Sequence, residues 1–104
     1  VGTSAGSDIP AYVISEVEIL DETAADQYRA LAAASIDEYR GRYLVRGATP
    51  DAVEGEVAPR WRLVIVEFPD MDVARRWYAS ESYAQALALR DGALTRRLLF
   101  VEGM

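Results

Sequence analysis

Residues 60–70 read Arg60-Trp61-Arg62-Leu63-Val64-Ile65-Val66-Glu67-Phe68-Pro69-Asp70, and this stretch decides the fold. In an extended chain Trp61, Leu63, Ile65 and Glu67 share one face, while Arg62, Val64, Val66 and Phe68 share the other. The centre is apolar on both faces, the pattern of a strand buried from two sides. Pro69 then stops the strand, and Asp70 supplies an N-cap for a helix. The chain around it must therefore supply both a helical layer and something to cover the far side of a sheet.

Upstream, Ala11 to Ile19 alternates in the same way, with Val13, Ser15, Val17 and Ile19 opposite Tyr12, Ile14, Glu16 and Glu18. Asp21 caps a helix that runs to about Tyr39, with Glu22 in its first turn where an acid suits the dipole. Ala24, Ala25, Tyr28, Leu31, Ala32, Ser35, Ile36 and Tyr39 form its apolar stripe, and Gly41 ends it. Arg42 to Arg46 reads as a short strand closed by Gly47. The polar stretch from Ala48 to Pro59, with Pro50, Gly55 and Pro59, reads as a loop. Downstream of Asp70, Ala74, Trp77 and Tyr78 form an inner helical stripe. Ser80 breaks that helix and caps a further segment from Glu81 to about Asp91, which Gly92 stops. Arg96 to Glu102 is the last strand, Leu98 and Phe100 opposite Leu99 and Val101.

The order is thus βαββαβ, which defines an α+β, ferredoxin-like sandwich: a four-stranded antiparallel sheet with helices on one face. Helices cover only one side, yet three strands carry apolar residues on both. A domain of 104 residues is also marginal alone. A two-fold homodimer packing sheet against sheet resolves both difficulties and is the expected assembly. Residues 1–10 are expected to be a flexible lead, with the domain spanning 11–104.

Composition removes much familiar chemistry. The chain has 11 basic residues, all arginine, and neither His nor Cys. There is no imidazole or thiolate to activate a nucleophile or hold zinc or haem, and no lysine for a Schiff base. No cofactor and no metal site are expected. A net charge of −6 counts against nucleic acid and against an anionic membrane surface. No apolar run is long enough for a bilayer and no secretory leader is evident, so the cytoplasm is the expected location.

Several motifs then agree in order and spacing: Tyr12-Val13-Ile14, Gly41-Arg42-Tyr43-Leu44-Val45-Arg46-Gly47, Glu54-Gly55, Val64-Ile65-Val66-Glu67-Phe68-Pro69, Trp77-Tyr78-Ala79-Ser80 with Tyr83, and Val101-Glu102-Gly103. Together they resemble one bacterial family of unknown function, the thirteen-thirty family of the dimeric α/β-barrel superfamily, over about Ala11 to Gly103. The resemblance implies a ferredoxin-like protomer whose sheet pairs with a second copy to form a barrel, and it implies no reaction. Superfamily relatives include cofactor-free oxygenases, isomerases and haem binders, so fold is a poor guide to function here. This chain has Ser80-Glu81-Ser82-Tyr83 where the family usually has Ser-Pro-Glu-Tyr, and it lacks the His that haem-binding relatives use.

Glu67 stands out, since it shares a face with Leu63 and Ile65. Partial desolvation there would suit a general base, while an ion pair with Arg46 or another arginine, or simple exposure at the strand end, is the structural alternative. Arg46 ends its strand beside Gly47, where a guanidinium could grip a carboxylate or enolate. Tyr83 follows the helix break where a helix–sheet cleft would open. Trp77 would shape that cleft or belong to the core, and Arg90 would face the cleft or solvent. Two readings of function follow. One is a dimer that binds a small organic metabolite in the cleft, extending to cofactor-independent isomerase or monooxygenase chemistry with Glu67 as base and Arg46 as anion donor. The other is a non-catalytic binding or structural module.

Overall fold

The computed structural model describes residues 9–104. The elements run β1 (Ala11–Ile19), α1 (Glu22–Glu38), β2 (Arg42–Ala48), β3 (Arg62–Phe68), α2 (Met71–Tyr78), α3 (Glu81–Arg90) and β4 (Leu94–Glu102). The four strands are antiparallel in the order β2-β3-β1-β4, so the α+β ferredoxin-like expectation holds. Most of the lead expected over 1–10 lies outside the described residues. Pro10 is already tied down, its carbonyl accepting from the Gly103 amide at 2.8 Å.

All three helices start as the sequence dictates. Asp21 Oδ1 accepts from the Ala24 amide at 3.0 Å, Asp70 Oδ1 from the Val73 amide at 2.8 Å, and Ser80 Oγ from the Tyr83 amide at 3.1 Å. The end of α1 differs in detail. The left-handed residue is Arg40 (φ 61°), and the Gly41 amide bonds back to Ile36 O at 2.8 Å while Arg40 bonds to Asp37 O at 3.0 Å. This is a Schellman closure with arginine in the usual glycine place. Gly41 is needed for space instead: a Cβ there would stand 2.7 Å from both Ile36 Cγ2 and Phe68 Cε1.

The core lies between the helices and one face of the sheet. Val13, Val17, Val66 and Phe68 from the strands meet Tyr28, Ala32, Ile36, Val73, Ala74, Trp77, Tyr83 and Ala86 from the helices. Tyr78 departs from the expected inner stripe of α2. Val73 takes the buried place, and Tyr78 is 41% exposed, leaning its ring on Phe100 and Tyr83. Trp77 and Tyr78 are neighbours in sequence and point about 100° apart around the helix, so both cannot face the core.

Among the described residues, no helix lies on the opposite face of the sheet. The register places Val45, Ile65, Ile14 and Leu99 in one row across all four strands, with Tyr12 beside Val101 in the next. Leu99 and Val101 are 41% and 43% exposed, and Ile14 and Ile65 are half-buried. No helix among the described residues is long and apolar enough to cross a membrane.

Candidate ligand-binding site

A cavity of about 140 Å³ lies between α1 and the sheet. Its floor follows from the register. Arg46, Val64, Ser15 and Leu98 form one row on the helix-facing side, and Arg62, Val17 and Arg96 form the next. Tyr28, Arg29, Ala32 and Ile36 of α1 make the roof, and Trp77 closes one end. The wall is mostly apolar, yet among the described residues it includes four arginines and no carboxylate. Arg29 is paired to Glu22 and Asp26 at 3.1 and 3.5 Å. Among the described residues, Arg46, Arg62 and Arg96 have no carboxylate within 4 Å. Arg46 instead stacks over the Tyr43 ring, 4.2 Å from its centroid. In a protein of net charge −6, this cleft is locally positive.

The most developed group in the region is a triad. Arg96 Nη1 donates to the Tyr28 hydroxyl and Nη2 to the Tyr83 hydroxyl, each at 2.6 Å, and the two hydroxyls share a further bond of 2.6 Å. Burial pushes the Tyr83 phenol well above its ordinary value and Tyr28 adds to the shift, with Arg96 pulling the other way. Tyr83 is therefore a neutral phenol at physiological pH. The Tyr43 phenol is also raised, again chiefly by burial, against the pull of Arg46. Among the described residues, three buried side-chain polar atoms lack a hydrogen-bond partner: Ser15 Oγ, Arg29 Nη1 and Arg96 Nε. All three belong to residues lining this one cavity.

The residues singled out from sequence are distributed unevenly around it. Trp77 lines the cavity, is 3% exposed, and donates from Nε1 to Ser35 Oγ at 2.9 Å. Tyr83 is fully buried behind the wall and reaches the site through its hydroxyl. Arg90 does not line the cavity; its guanidinium is half-exposed, 3.6 Å from Asp91. Arg46 lines the cavity, but Glu67 does not. Glu67 pairs across the open face with Arg42, Nε to Oε1 at 2.6 Å, rather than with Arg46.

The expected convergence of Glu67 and Arg46 is absent because of a β-bulge. Strict alternation would keep Arg42, Leu44 and Arg46 on one face, beside Glu67. The pairing passes from Tyr43↔Val66 directly to Val45↔Ile65, so Leu44 is an extra residue and Arg46 turns to the cavity side. A second irregularity at Gly47 (φ 90°) lets the strand continue to Ala48 rather than stop. The groups that sequence reasoning missed are Arg96, Arg62, Tyr28 and Ser15. Their signal was present: each strand residue is polar at a position whose neighbours two residues away face the core.

Comparison with known proteins bears on this fold. The family model described as a domain of unknown function, DUF1330, matches residues 10–104. Among solved structures, the RPA0582 protein of unknown function from Rhodopseudomonas palustris is similar, with a TM-score of 0.76 at 15% identity over 94% of this chain and 85% of that one. SnoaB, a cofactor-independent oxygenase from Streptomyces nogalater, superposes with a TM-score of 0.62 at 14% identity, covering 88% of this chain and 90% of its own. A putative antibiotic biosynthesis monooxygenase from Nitrosomonas europaea gives 0.53 at 9% identity over 90% of each chain. No curated protein matches by sequence. At such identities the likeness establishes the fold.

Proposed function

This chain belongs to the DUF1330 family, which brings no reaction with it, and we propose from the geometry that its helix–sheet cavity binds a small organic molecule. One observation carries the reading: every unpaired buried side-chain polar atom among the described residues sits on a residue lining one largely apolar cavity. Protein interiors are packed to crystal-like density and satisfy their polar groups. A gap whose lining residues carry the unsatisfied polar atoms is what a binding site looks like before its ligand arrives.

Binding leads over proton abstraction. The cavity wall offers no carboxylate, and the chain has no histidine. Tyr83 holds its proton too tightly to act as a base at neutral pH. Glu67 faces the other side of the sheet, so as a base it would act on a molecule held there, apart from Arg46.

The protomer's open face supports a homodimer. A row of Val45, Ile65, Ile14 and Leu99, extended by Leu63 and Val101, is an apolar strip of the kind that marks an interface. A second copy, bringing an identical strip, would cover it, with the Glu67–Arg42 pairs at its border. Sedimentation equilibrium should give a dimer for the native protein and a monomer for Ile65→Lys; a native monomer defeats this part of the proposal.

The cavity reading is tested by filling it. Ala32 is 5% exposed and lines the roof. Ala32→Leu should keep the fold by circular dichroism and lower the affinity for one-ring organic compounds at least about tenfold, monitored by the fluorescence of Trp77. Unchanged binding in Ala32→Leu would place the ligand elsewhere.

A further inference from the structure

Resting on the cavity reading above, we propose that the ligand is a one-ring organic anion whose carboxylate or phenolate oxygen is held by Arg96, Tyr28 and Ser15. Size comes first. An apolar cavity of roughly 150 Å³ is filled by benzene, and this one measures about 140 Å³. One ring or a short branched chain matches this volume.

The charge of the ligand follows from counting protons. The triad contains two phenolic hydrogens, and the bond between the Tyr28 and Tyr83 oxygens consumes one, whichever residue donates it. Arg96 can only donate, so the second phenolic hydrogen has no acceptor within the group. Arg96 Nε–H is likewise buried without a partner, and so is the Ser15 hydroxyl. The surplus is thus on the donor side: apart from Ser15 Oγ, whose hydroxyl both donates and accepts, the spare groups (Arg29 Nη1, Arg96 Nε and the second phenolic hydrogen) can only donate. An ionised carboxylate or phenolate accepts and never donates, which is the complement this inventory requires. Neutral amides and alcohols bring hydrogens of their own and leave part of the surplus unmet.

The charges around the cavity agree. Arg46 and Arg62 are exposed at its edge and have no carboxylate within 4 Å among the described residues. They place positive potential where an anion would enter, on an otherwise acidic molecule. Arg96 forks onto two tyrosine hydroxyls, which fix its plane before any ligand binds. A preset guanidinium of that kind selects a flat, charged acceptor.

The experiment titrates the native protein with sodium benzoate, benzamide and toluene, following Trp77 fluorescence, and repeats the benzoate titration in Arg96→Met and Tyr28→Phe. Benzoate is expected to bind at least about tenfold more tightly than benzamide or toluene, the ratio that a hydrogen bond to a charged group supplies. Arg96→Met should lower benzoate affinity by at least that factor. Tyr28→Phe retains the ring and the fold, checked by circular dichroism, and should weaken benzoate several-fold even if Arg96→Met fails to fold. Equal binding of benzamide and benzoate, or benzoate binding untouched in the variants, overturns the anion assignment and leaves the cavity reading standing. No binding of any of the three probes overturns both.

Discussion

The Arg96 triad makes a sharp energetic prediction through a double-mutant cycle. Tyr83→Phe removes two hydrogen bonds, to Tyr28 and to Arg96, and Tyr28→Phe also removes two. The bond between the hydroxyls belongs to both sets, so the double variant loses three bonds rather than four. At about 1 kcal/mol for the bond between the hydroxyls and about 1.5–3 kcal/mol for each bond from the guanidinium, each single variant should lose about 2.5–4 kcal/mol and the double about 4–7 kcal/mol. The shortfall of about 1 kcal/mol is the coupling, well outside the ~0.3–0.5 kcal/mol scatter of independent sites. Urea unfolding of the four proteins measures it, provided the slope with denaturant is common to all. Strictly additive losses would mean that the hydroxyls act separately. A neutral Tyr83→Phe would remove the triad from any account of stability.

Other perturbations test the surroundings. Gly41→Ala should destabilise by about 1–3 kcal/mol, because its Cβ meets Ile36 and Phe68 at 2.7 Å, whereas Arg40→Gly, relieving a left-handed backbone at φ 61°, should raise the thermal midpoint. Glu67→Gln should change unfolding free energy by less than about 1 kcal/mol, since its partner Arg42 is 72% exposed; a larger loss in urea would show that the pair is sealed by something more than the protomer. Tyr83 also predicts an alkaline weakness. Its folded phenol lies above the ordinary value of 10.0, so the unfolded chain releases that proton first. Its contribution is complete below pH 10 and falls as pH rises beyond it; Tyr83→Phe should flatten that part of a stability–pH curve, and a native curve already flat above pH 10 would contradict the burial argument.

Much of the fold was legible because local rules and tertiary structure agree. Asp21, Asp70 and Ser80 are caps by residue type and caps in space. The alternation of Ala11–Ile19 and of residues 62–68 predicts which side of each strand is buried. What escaped depends on backbone counting that alternation cannot report. No residue type around Leu44 announces a bulge, and alternation alone would put Arg46 on the Glu67 side of the sheet, whereas the bulge turns it to the cavity. The triad escaped for another reason. Tyr28, Tyr83 and Arg96 lie 55 and 13 residues apart in sequence, and a tyrosine in an apolar stripe reads as core until its hydroxyl is followed to a partner.

The bulge at Leu44 also says how this scaffold could diversify. Substituting Arg46 changes one side chain in place, but straightening β2 at constant length, so that Leu44 joins the ladder, would restore strict alternation and carry that guanidinium through the sheet, out of the cavity and onto the face where Arg42 and Glu67 meet. Loss of the bulge alone would discharge the rim of the pocket and add a cation to the opposite surface together. On such a frame, gaining or losing a bulge in an edge strand is a coarser and quicker route to new ligand preference than point changes within the pocket. Alignments that permit no gap in β2 would pair residues that face opposite directions.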